Sequence, residues 1–268
     1  MLEYCPVGII GVLTPQANTT VEPEFSILCP EGVCLLTARL TSNKTSMDDR
    51  LVDYVVSMDE TLDRFANAPL KAVIFACTGA AYLVDPDVEK AKLSKIEDLR
   101  GYPIITAADA LAEALKLLKA YRVGIISPYG DLLHEKALKY WELRGLEITA
   151  VHRIRNGDKN FHPIYSLPTM ASKRGLSELN TTGAQAVVIL GTGLPTLSTL
   201  IDAQNTQILT ISPNICLMWR AHIALLTQEP SIENLMPWLS GKTSRSCRIS
   251  TPSSFPTINS AFEILRTS

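Results

Sequence analysis

The stretch KAVIFACTGAAYL, Lys71 to Leu83, is echoed later in the chain by QAVVILGTGLPTL, Gln185 to Leu197. Aligned without gaps at an offset of 114, the two are identical at five of thirteen positions, including the Thr-Gly that follows the apolar run. A second pair, PVGIIGVLTPQ (6–16) and RVGIISPYGD (122–131), stands at an offset of 116. Any two buried strands share apolar letters, but the repeated Thr-Gly and the near-constant spacing point to a duplicated unit.

Outward from these pairs, short apolar runs recur: 7–13, 33–40, 72–77, 103–107, 122–127, 147–154, 186–190 and 208–212. Runs that are apolar throughout suit parallel strands covered on both faces. Between them lie helical patterns. Leu51, Val55, Met58, Leu62 and Phe65 follow Ser46 with a 4-3-4-3 spacing, and Leu111, Leu115 and Leu118 follow Thr106. Strand–helix alternation of this kind predicts an α/β fold of two pseudo-symmetric lobes, each a short parallel sheet flanked by helices. The expected organisation is an N-terminal lobe over 1–110 completed by 214–240, a second lobe over 111–213, and a Ser/Thr-rich tail over 241–268.

The 268 residues are 46% hydrophobic, enough for a substantial core, and the net charge of −2 has no long basic run. That excludes the electrostatic footprint of a nucleic-acid binder and favours a small-molecule partner. The opening MLEYCPVGIIGVL carries an acid where a signal peptide carries bases, and its apolar run is too short to span a bilayer, so the expectation is a cytoplasmic protein with no membrane partner. Six cysteines (5, 29, 34, 77, 216 and 247) lack CxxC spacing and a neighbouring His cluster, which predicts free thiols and no metal. The sequence leaves a homo-oligomer open.

In open parallel sheets ligands bind beyond the carboxyl ends of the strands. Four segments answer that rule: Thr14–Asn18, Cys77–Gly79, Ser127–Gly130 and Gly191–Gly193. Their small polar residues, at the starts of helices, offer backbone amides and hydroxyls to an anion. Cys77, at a strand end before a helix, is in the setting that lowers a thiol pKa and could serve as nucleophile or acid/base; the competing reading is a cysteine filling the core. Asn18 either binds a carboxylate or caps a turn after Pro15. Tyr129 either donates to an oxyanion or packs with its hydroxyl satisfied. Asn160 lies in the polar loop NGDKNF, His134 and His152 fall on a helix and a strand with polar neighbours, and His162 and His222 show no partner pattern; none of the four is assigned to catalysis. Gly241-Lys242-Thr243 has Met236 where a P-loop needs glycine, and Gly191-Thr192-Gly193 lacks the third glycine of a dinucleotide fingerprint, so neither ATP nor NAD is indicated.

At these segments the chain resembles the aspartate/glutamate racemase superfamily, in the branch of maleate cis-trans isomerases and arylmalonate decarboxylases. LTPQANTTVEPEF (13–25) is similar to the Pro-x-Ala-Asn-Thr-x-x-Glu-Pro-Glu signature of that branch. CTGA (77–80) and GTGLPTL (191–197) resemble its two cysteine segments, SPYGD (127–131) the segment with the site tyrosine, and Asn160 a carboxylate-binding asparagine. The resemblance implies a site between two lobes, no cofactor, catalytic roles for Cys77 and Tyr129, and substrate contacts from Pro15, Asn18, Thr78, Gly79, Asn160, Gly191, Thr192 and Gly193. Two-thiol members place one cysteine on each face of the substrate carbon, whereas here the second position is Gly191. Arylmalonate decarboxylases keep the other thiol, so this chain is their mirror image.

The resulting expectation is a cofactor-independent decarboxylase of a malonate-type or related small carboxylic acid, whose enediolate is protonated by Cys77. The alternatives are a maleate-type cis-trans isomerase using Cys77 as nucleophile, an amino-acid or hydantoin-type racemase, and a non-catalytic carboxylate-binding module. On sequence alone, a cysteine placed at 191 is expected to add racemase activity.

Overall fold

A computed structural model describes residues 2–155 and 163–241. Asn160, His162, Cys247 and the expected tail beyond Gly241 lie outside the described residues. The first lobe runs β1 (Gly8–Pro15), α1 (Val21–Leu28), β2 (Val33–Leu40), α2 (Met47–Val56), α3 (Met58–Leu62), β3 (Leu70–Phe75), α4 (Thr78–Ala81), α5 (Pro86–Arg100), β4 (Ile104–Thr106) and α6 (Ala107–Leu117). There follow β5 (Arg122–Ser127), α7 (Asp131–Leu143), β6 (Glu147–Arg153), α8 (Thr169–Glu178), β7 (Ala186–Ile189), α9 (Leu197–Ala203) and β8 (Leu209–Ile211). The described chain ends with α10 (Pro213–Leu225) and α11 (Ile232–Leu239).

Among the described residues the strands form two four-stranded parallel sheets, ordered β2-β1-β3-β4 and β6-β5-β7-β8. The two orders are the same, so the repeated sequence pairs occupy the same places: 6–16 and 122–131 supply β1 and β5, and 71–83 and 185–197 supply β3 and β7. The central strands are apolar on both faces because helices cover both. Every residue of β1 and of β7 is buried. In the first sheet Val12 faces Ile74. In the second Ile125 faces Val188.

The helices start where local chemistry stops the strands. The Thr106 hydroxyl accepts from the Asp109 amide to cap α6, and the Ser46 hydroxyl caps α2 through Asp49. The apolar stripe read as one helix through Phe65 is interrupted at Ser57, whose φ of −92° and ψ of 14° end α2 and whose hydroxyl donates to the Asp53 carbonyl. The stripe survives the break, and Leu51, Val55, Met58, Leu62 and Phe65 are all buried. The expected boundary after residue 110 falls inside α6, and α6 packs with α10 and β4. α10 in turn lies across β3, β4, β1 and α1, crossing back from the second sheet to the first. Among the described residues no helix is long and apolar enough to cross a membrane.

Candidate active site

The ends of β1, β3, β5 and β7 meet between the sheets. Pro15, Cys77, Thr78, Gly79, Tyr129, Gly191, Thr192 and Gly193 line one cavity there, closed on its apolar sides by Leu51, Leu133, Ile164 and Tyr165. The lobes are stitched together around it. The Thr192 hydroxyl donates to the Ala76 carbonyl at 2.9 Å, the Thr20 hydroxyl donates to the Gly193 carbonyl at 2.8 Å, and the hydroxyls of Thr78 and Tyr129 share a hydrogen bond of 2.8 Å. The cavity measures about 20 Å³, room for one water molecule.

Cys77 stands in extended conformation (φ −145°, ψ 98°) immediately before α4 and is 4% exposed. The expected lowering of its pKa is not what the structure shows. Burial pushes the thiol up to about 12, and the backbone N–H groups of Gly79 and Ala80 offset this only in part. The helix that was to stabilise a thiolate is four residues long, too short for a substantial dipole. Glu89, buried in α5, adds a small push in the same direction. Burial thus favours the neutral thiol of Cys77 over the thiolate.

Across the cavity the equivalent position is built differently. Gly191 has φ +92°, and a Cβ there would lie 2.8 Å from Ile164 Cδ1 and 3.0 Å from Pro128 Cγ. The left-handed backbone strains any side chain there, and the tip of Ile164 would have to give way to it. Among the described residues that line the cavity, Cys77 is the one thiol, and no carboxylate, imidazole or amine joins it.

Tyr129 packs with its hydroxyl satisfied, and that hydroxyl lies at the cavity wall. It is buried, packs edge-to-face on Tyr82 at 5.8 Å, and has its hydroxyl on Thr78 at the cavity wall. Burial, followed by Tyr82, holds its pKa well above the ordinary phenol value, so it is a neutral donor. Behind it the Trp141 indole donates to the Tyr82 hydroxyl at 3.2 Å. Asn18 is a cap: its Oδ1 accepts from the Thr20 and Val21 amides at 2.8 and 3.0 Å. Its Nδ2 is buried and has no partner among the described residues, and Asn18 does not line the cavity. Arg39 fixes the same turn by donating to the Asn18 carbonyl at 2.8 Å and pairing with Glu22.

Leu133, Ile164 and Tyr165 carried no motif and were not anticipated, and Leu51 was read as part of a helical stripe without a place in the site. Burial raises Tyr165 well above its ordinary pKa, and its ring shares the cavity wall with Cys77. Glu24 was visible in the quoted signature but had no assigned role. Its carboxylate accepts from the Thr196 and Leu197 amides at 2.5 and 3.1 Å and from Asn214 Nδ2 at 2.7 Å, joining α1 to the start of α9. Among the described residues no group of three or more His, Cys, Asp or Glu side chains could hold a metal ion.

Comparison with known proteins bears on this geometry. A family model described as arylmalonate decarboxylase matches residues 10–158, more than half of the chain. A maleate isomerase of Pseudomonas putida is 27% identical over 150 residues, which cover 52% of this chain and 60% of the relative. The match thus spans about 60% of that curated relative's length. Among solved structures, the maleate isomerase Iso of Pseudomonas putida superposes with a TM-score of 0.75 at 20% identity, covering 88% of this chain and 99% of its own. A glycine-to-cysteine, cysteine-to-serine double mutant of arylmalonate decarboxylase, in its liganded form, superposes with a TM-score of 0.68 at 16% identity, over 81% of this chain and 92% of its own. At these identities the structural likeness is one of fold.

Proposed function

The chain belongs to the arylmalonate decarboxylase family, within the maleate isomerase and arylmalonate decarboxylase branch of the aspartate/glutamate racemase superfamily, and on that footing we propose that it is a cofactor-independent decarboxylase of a malonate-type acid. The observation that carries this reading is the single buried thiol facing a glycine whose left-handed backbone disfavours a side chain. A planar intermediate in this cavity would receive a proton from one face only.

The retained carboxylate would lie against the hydroxyls of Thr78 and Tyr129 and the Thr192–Gly193 turn, with Asn18 Nδ2 behind them, an oxyanion-stabilising arrangement. The departing carboxylate would face the apolar walls, where loss of hydration favours its release as neutral CO2. The C–C bond breaks, its electron pair enters the retained carboxylate as an enediolate, and the S–H of Cys77 delivers its proton to the α-carbon. The amides of Gly79 and Ala80 already point at the sulfur and would support the thiolate until water reprotonates it. A cavity that holds one water has no space for such an acid, so Ile164 and Tyr165 must shift for it to enter.

The second reading is a maleate-type cis-trans isomerase, favoured by the naming of the curated relatives as maleate isomerases. There Cys77 would add to the double bond as a thiolate and leave after rotation. The test is an NMR screen of 2-substituted malonates and maleate in deuterated water. Decarboxylation that places one deuterium in a single stereochemical sense supports the proposal. Fumarate from maleate, with the malonates untouched, overturns it in favour of the isomerase.

A further inference from the structure

Glu24 sits in α1, 5% exposed, yet every group that contacts its carboxylate belongs to another part of the chain. One oxygen caps α9 from outside by accepting from the Thr196 and Leu197 amides, and the other accepts from Asn214 Nδ2. The Thr196 hydroxyl lies 3.3 Å from both oxygens and also donates to Ser212. The two amides and Asn214 Nδ2 are all donors, the partners an acceptor-only carboxylate requires. Asn214, itself fully buried at the start of α10, passes the contact on: the same Nδ2 donates to the Thr192 carbonyl at 3.2 Å.

The Thr192 carbonyl belongs to the peptide that lines the cavity. In a trans peptide the C=O and the following N–H point in opposite directions, so holding the Thr192 oxygen on Asn214 directs the Gly193 N–H the other way. The next carbonyl, that of Gly193, is held by the Thr20 hydroxyl. Two successive peptide planes are thus fixed by α1, its leading turn and α10. We propose that Glu24, acting through Asn214, is a positioning residue that sets the orientation of the Thr192–Gly193 peptide and thereby of the backbone donor it offers to substrate. The inference rests on the reading of this turn as part of the carboxylate site.

Glu24→Gln in the full chain is the test. The glutamine oxygen still caps α9, but its Nε2 now faces the Asn214 Nδ2, donor against donor. The Asn214 amide must turn over, releasing the Thr192 carbonyl. Turnover of the acid identified for the parent is expected to fall by about 10- to 100-fold, the scale of a small misplacement at a reacting centre, with most of the loss in kcat. Glu24→Gln with Asn214→Asp restores a donor–acceptor pair between the two side chains but gives Thr192 no donor. This double variant should recover thermal stability without recovering kcat. In both variants amide hydrogen exchange should rise across residues 191–196 and stay at parental levels in the first sheet.

Parental kcat in folded Glu24→Gln, or recovery of both stability and kcat in the double variant, overturns the proposal. If Glu24→Gln does not accumulate as folded protein, the double variant carries the same test. If the parent turns over none of the acids, the functional reading fails on its own, and hydrogen exchange decides the positioning: parental exchange across 191–196 in the variants overturns it.

Discussion

The two lobes share a strand order and a Thr-Gly at the end of their third-placed strand, yet one presents a thiol and the other a glycine. After β3, Cys77 adopts an ordinary extended backbone and tucks its sulfur under two amides. After β7, Gly191 has left the region open to L-residues and given its side-chain space to Ile164 and Pro128. The difference therefore reaches below the side chain into the backbone. Duplication supplies two equivalent strand ends, and here the local chain path keeps a thiol at one and gives the other to packing.

The sharpest way to break that comparison is to remove the thiol. Cys77→Ala should abolish turnover, by at least about a thousandfold, with the thermal transition close to that of the parent, because general acid catalysis contributes on that scale and the volume lost is small. Turnover within tenfold of the parent would show that the acid lies elsewhere. The pH profile gives the sign of the role. A thiol held up to about 12 and used as an acid sustains turnover through neutral and mildly alkaline pH, then loses it as pH climbs towards that value. A thiolate nucleophile would show the opposite limb, rising with pH.

Tyr129→Phe comes next. It removes the phenol shared with Thr78 while leaving the ring packed on Tyr82, and a drop of roughly ten- to a thousandfold in kcat is expected for one lost oxyanion donor. An unchanged rate would return Tyr129 to the core alone.

The thiol-bearing lobe also hides a carboxylate. Glu89 is 4% exposed, has one oxygen without a partner among the described residues, and is pushed up to about 7 by burial and then by Asp109, against the pull of Arg144. Its folded pKa lies above the ordinary 4.5, so the unfolded chain gives up this proton first as pH rises. Stability should fall between about pH 4.5 and pH 7, by up to roughly 3 kcal/mol at 1.36 kcal/mol per unit, and then level off. Glu89→Gln should flatten that slope in urea titrations at pH 5 and pH 8. An identical slope in the variant would assign it to other groups.

The smallest expected effect sharpens the comparison from the other side. Sequence alone makes Gly191→Cys look like one step to a racemase, but φ +92° and a 2.8 Å contact with Ile164 oppose it. The expected outcome is a protein destabilised by about 2 kcal/mol, with little or no gain in racemisation. Adding Ile164→Ala should recover part of the loss. Rapid racemisation by Gly191→Cys at parental stability would show that the backbone adapts more readily than its geometry implies.

Much of this was legible beforehand. The eight apolar runs mark the eight strands of the described chain within a few residues, because a central parallel strand must be apolar on both faces to sit between helix layers. The strand-end rule gathered the cavity polar residues for the same topological reason. What stayed hidden depends on distance in three dimensions. The ionisation of Cys77 is decided by how much water reaches it, the backbone of Gly191 by its neighbours, and the role of Glu24 by partners 172 to 190 positions away along the chain. Ile164 and Tyr165 arrive from a single 3-10 turn, Pro163–Ser166, too short to show periodicity or a motif. Of the two readings of Asn18 the structure displays the cap, made by the oxygen of its amide, while the buried nitrogen has no partner among the described residues.

The depth of Cys77 also bears on how the protein withstands handling. Peroxides and alkylating agents attack thiolates that they can reach, and a sulfur that is 4% exposed and neutral at ordinary pH offers neither condition. The half-exposed Cys34 on β2 is the more accessible thiol. Air, storage and electrophilic probes should therefore mark the molecule at its edge long before they touch its centre, and a preparation can carry oxidised cysteine while the cavity thiol remains intact.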